Sequence, residues 1–455
     1  MLADRLEFSD RQAFFLFQRK IAIDGTARTL CSNLLGRNVM TEQKETQTKN
    51  VLWTKNFTLI TLGTVVSMLG NSIAGFALGL LVLDYTGSTF LYALYAVMYN
   101  LPKVVAPTLA GPFLDKFSRR RTIYTLDFTS AAVYGVFAWL IISGHFNYGF
   151  LIAGCLLIGT IDSIYQVAFD SFYPMLISEG NYSKAYSIQS TLESITMFTV
   201  PVSAFLYNLV GIAPLFLINM ASFFIAAVME TQIKKEETYV KTEKENFGIT
   251  QYKKTFLEGI AYLKQERGLL AVTLYFMVNA FAGGAFGTIV LPYFKLNFNN
   301  GEYVYMFTMG WMMVGRLIGG AVHYRLKIPV DKKYFVAFIV YVLIALIDGT
   351  VLYLPLTLMM VFCFLDGLLG VTSYNIRISA TQSYVPDEKK GRFNGIFQMA
   401  FTGGMLLGQF LSGVFTLFLP ERAVISGFML LSLVAAIAII GGSRKHVKKI
   451  YNRQA

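Results

Sequence analysis

Phe428-Met429-Leu430-Leu431-Ser432-Leu433-Val434-Ala435-Ala436-Ile437-Ala438-Ile439-Ile440 decides the fold. Wound as a helix this stretch is apolar on every face, and so is residues 151–161; neither alternates apolar and polar with a period of two, as a strand of an outer-membrane barrel must. The oily segments recur in runs of about 20 residues, the length that a hydrocarbon slab of about 30 Å requires of a spanning helix. The whole chain shares this bias: of its 455 residues 55% are hydrophobic and 15% charged, with 39 Phe and a mean hydropathy of +0.52. That excludes an ordinary soluble domain and predicts an all-α integral membrane protein.

Apolar runs set against polar punctuation predict spans near 57–83, 89–114, 122–143, 149–175, 188–210 and 212–230, then 269–294, 303–326, 334–354, 357–380, 394–418 and 422–441. Twelve transmembrane helices thus fall into two six-helix bundles, 57–230 and 269–441. Between them, 231–268 reads as a hydrophilic cytoplasmic linker carrying Lys234, Lys235, Glu236, Glu237, Lys241 and Lys244, and its end, Phe256 to Leu263, suits a short helix on the inner membrane surface. Landmarks repeat between the halves at one offset of about 209 residues: Gly70 with Asn279, Gly111 with Gly320, and Ser178-Glu179 with Asp387-Glu388. A duplicated, pseudo-symmetric unit accounts for that spacing.

The formal charge of +12 raises the question of nucleic acid, and the placement of the 39 Lys and Arg answers it. Lys295 and Arg422 fall in loops on one side and Lys103, Arg316 and Arg377 within spans; the other 34 lie in the N-terminal tail, the loops of the opposite side and the C-terminal tail. This positive-inside asymmetry predicts both termini in the cytoplasm and makes the basic charge a topological signal, with no nucleic-acid partner. Residues 1–56 read as a cytoplasmic N-terminal tail, whose short oily run Phe14 to Phe17 is no signal-peptide core, and 442–455 as a basic cytoplasmic tail. Met40, which opens a hydrophilic lead-in to the first span, is an alternative start, the other reading being an ordinary tail. Cys31, Cys155, Cys363, His145, His323 and His446 are scattered, so neither a disulfide framework nor a metal site is expected. A Gly-rich phosphate loop ending in Lys-Ser or Lys-Thr is absent, as is a nucleophile set beside a base, so no cofactor and no enzymatic activity are expected, and an ion gradient is the expected energy source.

Between the second and third spans the chain reads Gly111-Pro112-Phe113-Leu114-Asp115-Lys116-Phe117-Ser118-Arg119-Arg120-Arg121-Thr122. Gly111 lets a neighbouring helix approach, Asp115 can complement a helix N-terminus, and Arg119 and Arg120 can pair with carboxylates. The pattern resembles the signature loop of the major facilitator superfamily, with Ser118 where that family usually has Gly. The flanks, among them Asn71, Tyr85-Thr86-Gly87-Ser88, Leu101-Pro102, Asp127, Tyr173-Pro174 and Val385-Pro386-Asp387-Glu388 before Gly391-Arg392, resemble its macrolide-efflux and enterobactin-exporter branch over residues 50 to 440. The resemblance implies a bacterial inner-membrane exporter driven by the proton gradient, in which Gly111, Asp115, Lys116, Arg119 and Arg120 form a cytoplasmic latch that breaks and remakes as the halves rock. An alternative is a positive-inside loop with no mechanical role. Around Val200-Pro201-Val202 the fifth span departs from the glycine-rich antiporter signature of many drug/proton exchangers, keeping only the Pro.

Ionisable groups inside spans are costly and so are functional candidates. Asp162, near the midpoint of the fourth span, is the favoured proton carrier, with Asp170 two turns nearer the cytoplasm. Lys103 and Asp127 are within reach of each other, as a coupling pair or a structural salt bridge. Arg316 and Asp366 occupy central depths in the second half, as a neutralised pair or with Arg316 open to a substrate anion. Asp84, Glu230 and Arg377 lie toward span ends, in reach of interfacial water. Aromatic residues such as Tyr92, Tyr95, Tyr99, Phe169, Phe172, Tyr275, Phe276 and Tyr374 suit core packing or a bulky substrate. The expected function is export of a hydrophobic or amphipathic small molecule, a drug, macrolide-like compound or siderophore, by a monomer exchanging it for protons; a lysophospholipid or lipid carrier and a non-transporting membrane receptor or scaffold are the alternatives.

Overall fold

The computed structural model describes residues 51–104, 117–178, 181–196, 199–235, 237, 249–325 and 328–453. The first set of helices is α1 (Lys55–Thr86), α2 (Thr89–Asn100), α3 (Arg119–Ile142), α4 (Tyr148–Leu176), α5 (Tyr182–Thr196), α6 (Thr199–Val210) and α7 (Ile212–Thr231). After the linker helix α8 (Ile249–Gln265) come α9 (Arg267–Asn297), α10 (Gly301–Arg325), α11 (Lys333–Thr350), α12 (Leu356–Tyr384), α13 (Asp387–Phe415), α14 (Glu421–Ala435), which runs on as a π-helical turn over Ala436–Gly441, and α15 (Arg444–Tyr451). Side chains set the starts: Thr54, Ser88, Ser118 and Asn147 each accept a hydrogen bond from a backbone amide three residues on. α1 stops at Gly87, whose φ of 58° places it in the left-handed region that a side chain disfavours.

Among the described residues, eight helices are long and apolar enough to cross a bilayer: α1, α3, α4, α7, α9, α12, and the longer segments Val330–Tyr353 and Glu421–Gly441 that contain α11 and α14. The other four expected spans fall on α2, on α5 with α6, on α10 and on α13. Residues 105–114 of the expected second span and 197–198 of the fifth lie outside the described residues, while α13 opens on the polar run Asp387-Glu388-Lys389-Lys390.

Within the first set α7 packs against α3 and α1, and α4 against α3 and α2; within the second α9 packs against α13 and α14, and α10 and α11 against α12. The backbones of α9 and α13 approach closely because glycines face carbonyls: a Cβ on Gly284 would strike the carbonyl of Met405, and one on Gly408 that of Phe281. Aromatic side chains fill both interiors. Tyr95, Phe169, Phe172, Tyr275 and Phe276, offered by the sequence as packing or substrate-facing residues, are buried, whereas Tyr374 is exposed.

Residues 444–451, read from the sequence as part of a basic tail, form a docked helix. Val447, Ile450 and Tyr451 lie along one face and are buried, and the Tyr451 and Tyr341 hydroxyls are 2.8 Å apart. Burial raises the Tyr451 phenol above the ordinary tyrosine range, so the bond joins neutral phenols. α8 packs on α13, where Arg392 Nη1 is 3.2 Å from Glu258 Oε2 and Gly259 lies under Ile396.

Candidate functional site

A cavity of about 990 Å³ is bounded by α9 to α13, with Val200 and Pro201 of α6 closing it from the other set. Phe276, Phe286, Phe397 and Phe401 and the methionines 306, 309, 312 and 313 make its wall largely apolar. Four charged residues line it: Arg316, Asp348, Asp366 and Arg377. Asp348 and Asp366 are each 9% exposed and act on each other and on Arg316, yet no direct ion pair joins Arg316 to either among the described residues. A pocket of this size, with few polar groups in an oily wall, suits a bulky amphipathic molecule.

Arg377 departs from its expected place. Sequence depth puts it toward the interface, whereas its guanidinium lies 4.7 Å from the Phe397 ring centroid, 5.1 Å from Phe276 and 5.4 Å from Tyr374, in the cavity wall. The inward face of α12 carries it there.

In the first set, Asp162 accepts a 2.5 Å hydrogen bond from the Tyr99 hydroxyl, with Asn71 and Lys103 beside it. Lys103 donates to Asn100 Oδ1 at 3.0 Å and lies 4.4 Å from the Tyr99 ring centroid. The geometrically possible Lys103–Asp127 pair is not formed among the described residues; Lys103, just beyond α2, acts on Asp162 instead. Asp127 instead meets Glu230 of α7, which is wholly buried, while the Tyr165 hydroxyl donates to Glu230 at 3.4 Å. Glu230 therefore does not reach interfacial water; α1 covers it, Gly63 lying over Ala226 and Glu230. Asp170 is exposed and accepts from Gln166 at 2.9 Å.

Of the expected latch, Gly111, Asp115 and Lys116 lie outside the described residues. Arg119 Nη1 donates to the Ser171 carbonyl at 3.2 Å, and Arg120 Nη1 to that of Ile233. Sequence reasoning missed Glu237, which sits on the N-terminus of α3: its carboxylate accepts from the amides of Arg119 at 2.8 Å and Arg120 at 3.3 Å and from the Ser118 hydroxyl at 2.6 Å. An acid there satisfies orphan amides and complements the helix dipole. Ser118, a departure from the family Gly, caps the same helix by accepting from the Arg121 amide at 3.2 Å.

The two sets meet at the end of the molecule bearing Asp84. Lys295 Nζ of α9 is 3.2 Å from Asp84 of α1 and 3.1 Å from Glu302 of α10. Asn208 of α6 donates to Glu302 at 2.9 Å and to the Tyr303 hydroxyl at 3.0 Å, and Thr89 of α2 donates to Glu421 of α14 at 3.2 Å. Beneath this charged cluster Leu80, Leu83, Ala204 and Leu291 form a buried plug. Only a pairing of the helices in space reveals it, since Asp84 and Lys295 are 211 residues apart.

Two sets of apolar helices that meet at one end, beside a cavity holding buried charges, define a multi-pass membrane protein with a chamber large enough for a small molecule. The sequence comparison then gives the family. Residues 48–449 match the transmembrane secretion effector family, and the chain belongs to it, within the major facilitator superfamily. It is 24% identical to macrolide efflux protein A of Streptococcus pyogenes over 416 residues, 88% of this chain and 98% of that protein. It is also 24% identical to an uncharacterized MFS-type transporter, YkuC, of Bacillus subtilis (strain 168), over 61% of this chain and 68% of that one. Its fold is similar to the inward-facing crystal structure of a bacterial homologue of the iron transporter ferroportin: the TM-score is 0.61 at 13% identity, over 86% of this chain and 98% of that one.

Proposed function

We propose that this chain is a secondary active exporter of a hydrophobic or amphipathic small molecule across a bacterial inner membrane, in exchange for protons. The observation that carries the reading is made of the described residues: their contacts across the two sets cluster at the Asp84 end, above the plug, with a charged and aromatic chamber below. With both termini cytoplasmic, as the distribution of Lys and Arg supports, the sealed end faces outward and the chamber is reached from the cytoplasm. Residues 57–230 and 269–441 then act as the rocking halves, joined by the linker 231–268.

Asp162 is the proton carrier in this reading. It is a half-buried carboxylate held by a tyrosine hydroxyl and faced by Lys103, an arrangement in which gain or loss of a proton changes local pairing. Asp366, beside Asp348 and Arg316, is the next candidate. Asp127, with Glu230 as its neighbour, is a structural pair, and Asp170, exposed and nearer the cytoplasm, hands protons on. Gly111, Asp115, Lys116, Arg119 and Arg120 form the cytoplasmic latch. The likeness to macrolide efflux protein A supports efflux and antibiotic resistance as the setting. A monomer suffices, since one chain supplies both halves.

The test is a panel of drugs and siderophores on cells with and without the protein, each scored with and without a proton uncoupler. Lower accumulation of at least one compound, abolished by the uncoupler, is expected; unchanged accumulation of every compound removes the export reading.

A further inference from the structure

We infer that the cavity is built to take an amphipathic anion, with Arg377 as the docking group for a carboxylate, sulfonate or similar headgroup; this rests on the export reading above and narrows its substrate class. Arg377 is a permanent cation within a spanning helix, where an unpaired charge is costly and calls for a partner. Three aromatic rings, Phe276, Phe397 and Tyr374, surround its guanidinium. Ring faces stabilise a guanidinium through its π-surface and do not use its N–H groups. Among the described residues no acceptor takes a hydrogen bond from the Arg377 side chain and no carboxylate lies within ion-pair distance of it. The ionisable groups around it are the phenols of Tyr341, Tyr374 and Tyr451.

The other charges of the chamber do not alter this. Arg316 has Asp348 and Asp366 before it, so those three groups can balance among themselves. Among the described residues neither Arg316 nor Arg377 has an acceptor on its donors, but of the two Arg377 is the one with no carboxylate acting on it, and it lines the chamber. A planar fork with five N–H groups binds a carboxylate or sulfonate through two parallel bonds. The aromatic rings that flank it would then lie against the apolar or ring-bearing body of the same molecule. The site thus disfavours a cationic drug, which would meet the guanidinium with like charge.

Three fluorescent probes with one aromatic body and different charge test this: dansylglycine, an anion; its methyl ester, neutral; and dansylcadaverine, a cation. Binding is measured by titration into phosphatidylcholine nanodiscs holding the full chain, with empty nanodiscs subtracted. Dansylglycine is expected to bind about tenfold or more tightly than its ester, as a charge-assisted bidentate contact implies. That preference should vanish in Arg377→Gln and shrink in Arg377→Lys, which keeps charge but loses the fork. The ester reports whether the chamber is intact, so a variant that misfolds loses ester binding too, and Arg377→Lys then carries the test. Equal or weaker binding of dansylglycine than of the ester or of dansylcadaverine in the unaltered protein overturns the anion inference and leaves the export reading standing, as does a preference that survives in Arg377→Gln. Binding of none of the three overturns the inference and also counts against the chamber as the transport site.

Discussion

Replacing Lys295 by Met should open the outer end of the protein. Of the two Lys295 contacts the one that crosses the halves is with Asp84, at 3.2 Å with side chains 17% and 41% exposed, so it is partly screened by solvent and is worth about 1 kcal/mol at most. The Lys295–Glu302 contact joins α9 to α10 within one half, persists whichever way the halves rock, and cancels to first order. Removing the ammonium also leaves Asp84 and Glu302 on the sealed face with no cation between them, a like-charge penalty of the same order. The closed end should lose about 1–2 kcal/mol, a shift of about 5- to 30-fold in the balance between sealed and open forms. The assay is the rate at which a membrane-impermeant maleimide added to spheroplasts labels Ala204→Cys, in a chain whose native cysteines are serines. Ala204 is fully buried under the charged cluster, so its labelling requires opening. Lys295→Met should raise the rate by that factor, and by less in high salt in the unaltered comparison, where the bridge is already screened. An unchanged rate would show that the apolar plug seals the end without the charges, and would refute the reasoning.

Further outcomes follow from other parts of the fold. Glu237→Ala should lower thermal stability by about 1 kcal/mol through loss of the cap on α3, while Glu237→Gln retains part of it, as a melting curve in detergent can read. Glu230→Gln should leave expression and melting close to the unaltered protein, because the amide can still bond Asp127 and Tyr165, whereas Glu230→Ala empties a wholly buried position and should cost about 2–4 kcal/mol. Asp115→Asn should insert normally and transport slowly if the latch acts as proposed; equal transport at equal membrane abundance would remove the latch. Asp162→Asn should abolish uphill export and leave downhill substrate exchange, and retained uphill export would move the proton site to Asp366.

The oily helices were legible because each must satisfy its own backbone in lipid, a requirement that writes itself into local runs such as those of α1, α7 and α9. Side-chain partnerships were not, because they depend on how helices turn toward one another. Depth along a span stands in poorly for access to water at Glu230, which α1 covers at Gly63, and it says nothing of which face a residue occupies, so it does not show that Arg377 is turned inward on α12. The outer cluster of Asp84, Lys295, Asn208 and Glu302 escaped for the same reason: loop charges were read for topology, and their pairing crosses the two halves. α15 is a different case. Val447, Ile450 and Tyr451 stand at spacings of three and four, a local signal for a docked helical face, but the surrounding Arg444, Lys445, Lys448 and Lys449 drew the reading toward a solvated tail.

The central claim, proton-driven export through the chamber, is tested most directly by uptake into inverted membrane vesicles. A compound drawn from the cell panel is offered outside vesicles with an acidic lumen, and its accumulation is followed before and after an uncoupler, beside exchange at zero gradient. The account predicts uphill accumulation that collapses with the gradient, and exchange that persists without it. Accumulation that ignores the proton gradient would contradict it.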